Sequence, residues 1–216
     1  MLKFLFGMAF GGLMISGAAV AADVKNSPVP AFDWSGAYVG VDFGAAMNSS
    51  NWFAPSSPPQ FNTNGTGLAA GGVIGFRHQM NNLVIGIEGS GDLLTVDGEA
   101  NCVGTFPTCV TKESFIGMLQ ANVGFATGKV HFYGTGGAAY GNFEHYEKIS
   151  VNQSWGGESR LGWTVGAGLD YAVSDHVTAG VRWNYYDFGA KTISPPFPVN
   201  FTENGNLVTA RIEYKF

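Results

Sequence analysis

Hydrophobic and polar residues alternate with a period of two in eight segments of the chain. One face of each segment is apolar, and every charged residue in the segments falls on the other face. A period of two is typical of β-strands that separate two different environments. The segments comprise residues 37–45, 68–77, 83–92, 115–125, 130–140, 161–171, 177–186 and 208–216. The pattern therefore predicts eight β-strands.

The apolar face of these segments is expected to contact lipid. Its aromatic residues cluster at the segment ends, as in the interfacial girdles of membrane barrels. The opposite face combines charge with glycine, which suits a crowded lumen, and the segment lengths match a tilted strand that crosses a bilayer. A soluble ligand-carrying barrel is the alternative fold, and the aromatic girdles argue against it. The girdle residues are Phe76, Phe115, Phe125, Tyr140, Trp163, Tyr171, Trp183, Tyr185 and Tyr214.

The connections between the segments alternate between short and long. Short turns are predicted at residues 78–82, 126–129 and 172–176, and long polar loops at residues 47–66, 94–114, 142–160 and 189–205. This alternation is typical of an up-and-down barrel with periplasmic turns and outer loops. Closure is required, because an open sheet edge in hydrocarbon leaves unpaired backbone amides. Residues 34–216 are thus predicted to form an eight-stranded antiparallel up-and-down transmembrane β-barrel.

The first 22 residues have the features of a cleaved export signal. Lys3 precedes an apolar run that ends in small residues, including Ala19, Ala21 and Ala22, and signal peptidase requires small side chains before its cleavage site. A transmembrane anchor is the alternative, since the run is close to spanning length. Residues 1–22 are therefore predicted to be a signal peptide, and residues 23–33 a periplasmic tail.

The composition and the net charge argue against two further classes of protein. Only 12% of residues are charged, 32 are glycine, and the net charge is −5. The low charge and high glycine content disfavour a soluble helical domain. We expect no nucleic-acid partner, because no basic patch is present to neutralise phosphates.

The two cysteines, Cys102 and Cys109, lie close together in a predicted outer loop. In an exported protein such a pair is expected to form a local disulfide. Metal binding is the alternative, but two thiols without a nearby His or Cys make a poor site.

Charged and amide residues on the predicted lumen face form a candidate internal network. They could line a selective pore, or they could pair with one another and fill a narrow barrel. Eight strands enclose an interior that side chains can fill, and unpaired buried charge is costly, so the filled barrel is favoured. Glu88 with Arg182 or Arg211 is the expected central pair. The full set is Asp42, Arg77, Glu88, Asp92, Gln120, Asn122, Asp170, Arg182, Arg211, Glu213 and Lys215.

Several motifs resemble those of a family of small outer-membrane barrels found in alphaproteobacteria. The opening sequence WSGAYVG at residues 34–40 is similar to the family's Trp-Thr-Gly-x-Tyr-x-Gly pattern, and the sequences at residues 133–141, 162–171 and 185–189 are similar to further signatures. The C-terminal Phe216, with Tyr214 and Ile212, resembles the signal that the barrel-assembly machinery reads. Gln120 and Asn122 depart from the family, which often has Arg in the fourth strand. The resemblance implies an outer-membrane surface protein, described among members as porin-like, as a surface antigen or as a haemin binder.

The sequence predicts no catalytic site, no cofactor and no metal site. His145 lies in a predicted outer loop, and haemin ligation by His145, or by Tyr140 and Tyr146, rests on the resemblance alone. We therefore predict an integral outer-membrane barrel with a structural and surface role in the cell envelope. A small porin or a ligand-uptake protein is the alternative. The expected partners are outer-membrane lipid and lipopolysaccharide, the assembly machinery, and a host or small-molecule ligand at the outer loops.

Overall fold

The computed structural model describes residues 32–53, 61–100, 108–147, 153–193 and 199–216, which form a closed barrel of eight antiparallel strands. Each strand pairs with the next in the chain, and β8 pairs with β1. This confirms the predicted fold class. Among the described residues, no helix is long and apolar enough to cross a membrane. The strands are Gly36–Phe53 (β1), Phe61–Met80 (β2), Leu83–Ala100 (β3), Cys109–Thr127 (β4), Val130–Glu147 (β5), Gln153–Ala172 (β6), Val177–Ile193 (β7) and Val199–Lys215 (β8).

A band of exposed apolar side chains surrounds the barrel. Val41 is 63% exposed and Leu161 is 76% exposed, whereas Asp42 and Arg160, their neighbours in the chain, are buried. Exposed apolar surface of this extent on every strand is what a lipid-embedded barrel presents. We call the parts of the strands that carry this band the membrane-spanning segments. On the side of the long connections the band ends at Met47, Leu68, Leu93, Phe115, Tyr140, Leu161, Tyr185 and Val208.

The strands extend further than the sequence pattern predicted. β1 continues to Phe53 and β2 begins at Phe61, so most of the predicted loop at residues 47–66 is strand. The other three predicted loops are shortened in the same way. Beyond the lipid-facing band the outer face becomes polar, so the hydrophobic alternation disappears while the backbone pairing continues. The barrel wall therefore rises well above the membrane.

Two of the short turns use a left-handed backbone. Asn81 has φ 55° in the β2–β3 turn, and Gly128 has φ 59° in the β4–β5 turn. Asn and Gly are the residues that adopt this conformation at the lowest cost. These turns mark the predicted periplasmic end of the barrel.

The residues just before β1 fill the mouth of the barrel at this end. Phe32 and Trp34 are buried in one cluster with three small lumen-facing residues of the wall, Val84, Ala126 and Ala172. The backbone N–H of Trp34 donates to Oε1 of Gln79 at 2.8 Å. We call Phe32 and Trp34 the periplasmic plug, and it includes a residue that precedes the predicted barrel start at residue 34.

Some predictions lie outside the described residues. These are the signal peptide (residues 1–22), most of the periplasmic tail, and Cys102; the side chain of Cys109 is not described either. The signal peptide and the disulfide therefore stay predictions.

Candidate functional site in the barrel lumen

Glu88 is the centre of an ion-pair network that crosses the lumen. It projects from β3 and accepts from Arg182 on β7, on the opposite wall, with Nη2 2.9 Å from Oε2 and a second, shorter bond from Nη1 to Oε1. Arg211 lies 3.2 Å from the same carboxylate, and the Tyr38 hydroxyl donates to it at 2.6 Å. All four side chains are buried. Glu88 thus connects β3 with β1, β7 and β8 across the barrel.

Arg211 extends the network toward β1. Its Nε and Nη2 donate to the two oxygens of Asp42 at 3.0 and 3.1 Å. Such a two-pronged arginine–carboxylate contact fixes both partners in orientation as well as in distance. Nη1 of Arg211 also lies 3.3 Å from Glu213.

Arg77 completes the network on the periplasmic side. Its two terminal nitrogens donate to Glu213 at 2.7 and 2.9 Å, and Nη2 lies 3.3 Å from Asp170. Thr178 donates a further hydrogen bond to Glu213 at 3.0 Å. We call these ion-paired residues the central network: Asp42, Arg77, Glu88, Asp170, Arg182, Arg211 and Glu213.

Four residues of the predicted set lie outside the central network. Gln120 donates to Thr135 at 3.0 Å. Asp92 and Asn122 are buried in the lumen wall, and within the described part of the chain Oδ1 of Asp92 and both amide atoms of Asn122 have no hydrogen-bond partner. Lys215 sits at the periplasmic rim, where its ammonium bonds the Asp33 carbonyl.

Two tyrosines take part in the lumen contacts although the sequence did not single them out. The Arg77 guanidinium lies 3.9 Å from the ring centre of Tyr38. The Tyr133 hydroxyl donates to Asp170 at 3.2 Å and accepts from Nε of Arg182, also at 3.2 Å. Both tyrosines lie on the charged face of their segments, which is the signal that could have found them.

An apolar layer lies on the extracellular side of the central network. Its residues are buried in the lumen and form one continuous cluster. The phenol of Tyr186 packs 5.5 Å from the Phe188 ring, which in turn lies 5.1 Å from Phe143. The cluster consists of Ala46, Ala69, Leu94, Val96, Ile116, Met118, Ala139, Phe143, Tyr186, Phe188 and Leu207.

Polar side chains are buried again above the apolar layer, where the wall has left the membrane. Glu113 accepts from the Tyr186 hydroxyl at 3.0 Å and from Asn48 at 3.2 Å. Glu203 accepts from the Ser50 hydroxyl. Because Glu203 is fully buried, burial raises its pKa to about 8. This layer caps the lumen on the outer side.

His145 lies in this outer layer of the lumen. Its Nδ1 is 3.3 Å from the Thr111 hydroxyl, and its Nε2 is 3.8 Å from Glu158. Burial opposes ionisation of Glu158, but its contacts with His145, Lys191 and Arg160 outweigh burial, so its pKa falls to about 2. His145 therefore belongs to a strand and faces inward, whereas the sequence placed it in an outer loop.

The whole described barrel matches one known family. A family model described as the outer membrane protein beta-barrel domain matches residues 8–216. The chain belongs to this family. Members of the family are outer-membrane proteins by that description, and the lipid-facing band and closed wall of this barrel agree with it.

Relatives of this outer-membrane barrel have names that refer to immune recognition or to location. The 31 kDa outer-membrane immunogenic protein of Brucella melitensis is 30% identical, covering 94% of this chain and 95% of the relative. The 25 kDa outer-membrane immunogenic protein of Brucella ovis is 29% identical, covering 88% and 92%. A 22 kDa outer membrane protein of Rhizobium leguminosarum is 29% identical over 77% of this chain and 71% of its own length.

Among solved structures, the outer-membrane protein OprG of Pseudomonas aeruginosa is similar in fold. The comparison gives a TM-score of 0.51 at 14% identity and covers 87% of this chain and 99% of OprG. Identity at this level shows the fold alone. The family match and the relatives place the protein in the outer membrane as a barrel with a surface role in the cell envelope.

Proposed function

We propose that this outer-membrane barrel is a closed structural element of the envelope and not a conducting pore. The observation that carries the proposal is the bond between Glu88 and Arg182, which joins opposite walls at the centre of the lumen. Removing one partner of a buried ion pair costs roughly 3–5 kcal/mol of stability. An ion passing through the lumen would have to separate this pair or displace it.

The layers on either side of the central network support the same conclusion. On the periplasmic side Trp34 fills the mouth, with its ring 5.0 Å from that of His131. On the extracellular side lies the apolar layer, whose side chains, apart from the Tyr186 hydroxyl that is bonded to Glu113, cannot replace the hydration shell of an ion. Taking an unpaired charge into such surroundings is costly. Three consecutive barriers therefore oppose conduction.

The extracellular end of the barrel wall and its connections make the contacts with the surroundings of the cell. The proposal includes a ligand or host contact at this end, and it assigns no catalytic activity to the chain. Haemin ligation by His145 is not part of it, since that side chain is buried and bonded to Thr111. The immunogenic relatives support a surface-exposed role.

The proposal also covers export and assembly. We infer that residues 1–22 are removed as a signal peptide and that Cys102 and Cys109 form a disulfide in the oxidising periplasm. Ile212, Tyr214 and Phe216 all project outward at the periplasmic end, where the Tyr214 and Phe216 rings are 5.2 Å apart. An exposed aromatic pair at a terminal strand is available for contact with the assembly machinery.

A liposome-swelling assay tests the closed-lumen proposal. Vesicles that contain the folded protein are diluted into an isotonic solution of a small sugar, and swelling is followed by light scattering. The proposal predicts that these vesicles swell at the same rate as protein-free vesicles. A swelling rate that increases with the amount of folded protein would support the porin alternative. Heat-modifiable migration on gels serves as the folding control.

A further inference from the structure

One side of the extracellular wall presents uncharged polar side chains. Over residues 49–51, 62–66 and 202–206 of β1, β2 and β8, the side chains that project outward are asparagine, serine and threonine. The strands hold them side by side, because Ser49 lies opposite both Asn64 and Asn204. We call this surface the amide face: Ser49, Asn51, Asn62, Asn64, Thr66, Thr202, Asn204 and Asn206.

The rest of the extracellular wall is charged. Among the described side chains, the charged residues that project outward beyond the lipid-facing band are Asp97, Glu99, Lys112, Glu144, Glu158, Asp187 and Lys191. Lys112 lies opposite both Asp97 and Glu144, and Lys191 is paired with Glu158. Acidic residues predominate in this part of the wall. Two copies of the barrel that met there would bring like charges together, which is costly.

The amide face ends at an acidic residue on each side. Asp97 on β3 lies opposite Thr66, and Asp187 on β7 lies opposite Asn204. The carboxylate of Asp187 already accepts two hydrogen bonds from within β7. The uncharged surface is therefore three strands wide, with a charged rim. Depletion of charge at the centre, within a polar rim, is the usual composition of a protein–protein interface.

The side chains of the amide face have unused hydrogen-bonding capacity. Within the described part of the chain only that of Asn206 is bonded, and it accepts from Nε1 of Trp183 at 3.0 Å. An asparagine amide has two N–H donors and a carbonyl acceptor. Two copies of this face can therefore bond to each other, whereas a charged surface requires a partner of opposite sign. A two-fold dimer needs this self-complementarity, since the same surface patch meets itself.

The lipid-facing surface below the amide face has a self-complementary shape as well. Phe43 on β1 is 62% exposed, and the residues opposite it on the neighbouring strands are Ala70 and Ala210. A large side chain between two small ones forms a ridge with a hollow on each side, so two copies can interlock along β1. A two-fold axis along the membrane normal keeps both copies in the same orientation in the bilayer.

We propose that the amide face is the interface of a homodimer in the outer membrane, where it contacts the same face of a second copy. Hydrogen bonds between the amides connect the two extracellular walls, and the ridge at Phe43 extends the contact into the bilayer. The occupant is a second copy because the face is uncharged, can bond to itself and lies beyond the lipid-facing band. The inference does not depend on whether the lumen conducts.

Cysteine cross-linking in native outer membranes tests the dimer. Ser49→Cys places a thiol at the centre of the amide face, and oxidation should give a covalent dimer on non-reducing gels. Glu144→Cys is the matched control, because Glu144 is exposed on the charged part of the wall. It should give no more dimer than the native protein, which has Cys102 and Cys109. Heat-modifiable migration of each variant shows that the barrel is folded.

A charge variant tests the self-complementarity of the face. Asn51→Asp, combined with Ser49→Cys, should lower the cross-linked fraction several-fold, because carboxylates then meet across the interface. Asn81→Asp makes the same chemical change in the β2–β3 turn, at the opposite end of the barrel, and should leave the fraction unchanged.

Three results would overturn the proposal. The first is that Ser49→Cys gives no more dimer than Glu144→Cys, as expected if lipid or water covers the face. The second is that Asn51→Asp leaves the cross-linked fraction unchanged or lowers it no more than Asn81→Asp does. The third is that mass spectrometry of the cross-linked band finds a different protein joined to this chain.

Discussion

Tyr38 lies directly opposite Gly75 in the β1–β2 register, and its hydroxyl occupies the space that a side chain on Gly75 would need. A Cβ built on Gly75 would lie 2.4 Å from the Tyr38 oxygen. The same relationship recurs between Tyr133 and Gly168 on β5 and β6, and between Tyr186 and Gly205 on β7 and β8. Each of these three lumen tyrosines therefore has a glycine across the strand pair, which is how a narrow barrel accommodates their rings.

Gly75→Ala is expected to destabilise the barrel by about 1–3 kcal/mol, the usual cost of overpacking. The added methyl group would push the Tyr38 ring away from its contact with Glu88. Urea unfolding of the protein in lipid vesicles measures the effect. Gly89→Ala is the control, because a Cβ at Gly89 meets no atom within 4 Å. Equal stability of Gly75→Ala and the native protein would show that the tyrosine is not held in this position.

Glu88→Ala is expected to destabilise the folded barrel by roughly 3–5 kcal/mol, because Arg182 and Arg211 would lose their shared carboxylate while staying buried. The same urea titration measures this loss. Glu144→Ala removes an exposed carboxylate from β5 and should change stability little. A Glu88→Ala barrel as stable as the Glu144→Ala barrel would contradict the assignment of Glu88 to the centre of the network.

The stability of the extracellular end is expected to depend on pH through Glu203. Its pKa is raised from 4.5 to about 8 in the folded protein. The stability contributed by its buried, protonated form is fully present below pH 4.5 and is lost as the pH rises through 8. The urea concentration at the unfolding midpoint of the native protein should therefore decrease as the pH rises from 4.5 to 8.

Glu203→Gln should reduce this pH dependence, because the amide stays neutral at every pH. The exposed-site variant Glu144→Gln should retain the native dependence. If Glu203→Gln and the native protein lose stability in parallel over this range, the carboxyl of Glu203 is not protonated in the folded barrel.

The membrane-spanning part of the fold could be predicted from the sequence because lipid imposes an apolar face on every strand. Val41 and Asp42 are adjacent, and their opposite chemistry alone places one toward lipid and the other in the lumen. Above the membrane this constraint is absent. Asn48 and Ser50 are strand residues that face the lumen, but no apolar residues alternate with them, so the sequence pattern predicts a loop there.

The sequence showed which side chains of the candidate site face the lumen, but not which of them lie at the same height along the barrel. The charged face of the strands supplied Glu88, Arg182 and Arg211 as candidates, whereas their heights along the barrel depend on strand tilt and pairing. Lys215 has the correct face but lies at the end of β8, so its side chain reaches Asp33 at the rim. The β6–β7 pairing ends at Trp163↔Asp187, next to a bulge at Gly189, and one glycine among 32 is not a sufficient signal of this in the sequence.

Single-channel recording in planar bilayers tests the closed lumen most directly. Trp34→Ala is measured beside the native protein, because it opens the periplasmic mouth and leaves the central network intact. We expect no steady conductance from either protein, with heat-modifiable migration showing that both are folded. A steady conductance of the native barrel would contradict the account. If that conductance also changes in Glu88→Ala, measured in the same way, the lumen is an open, charge-lined pore.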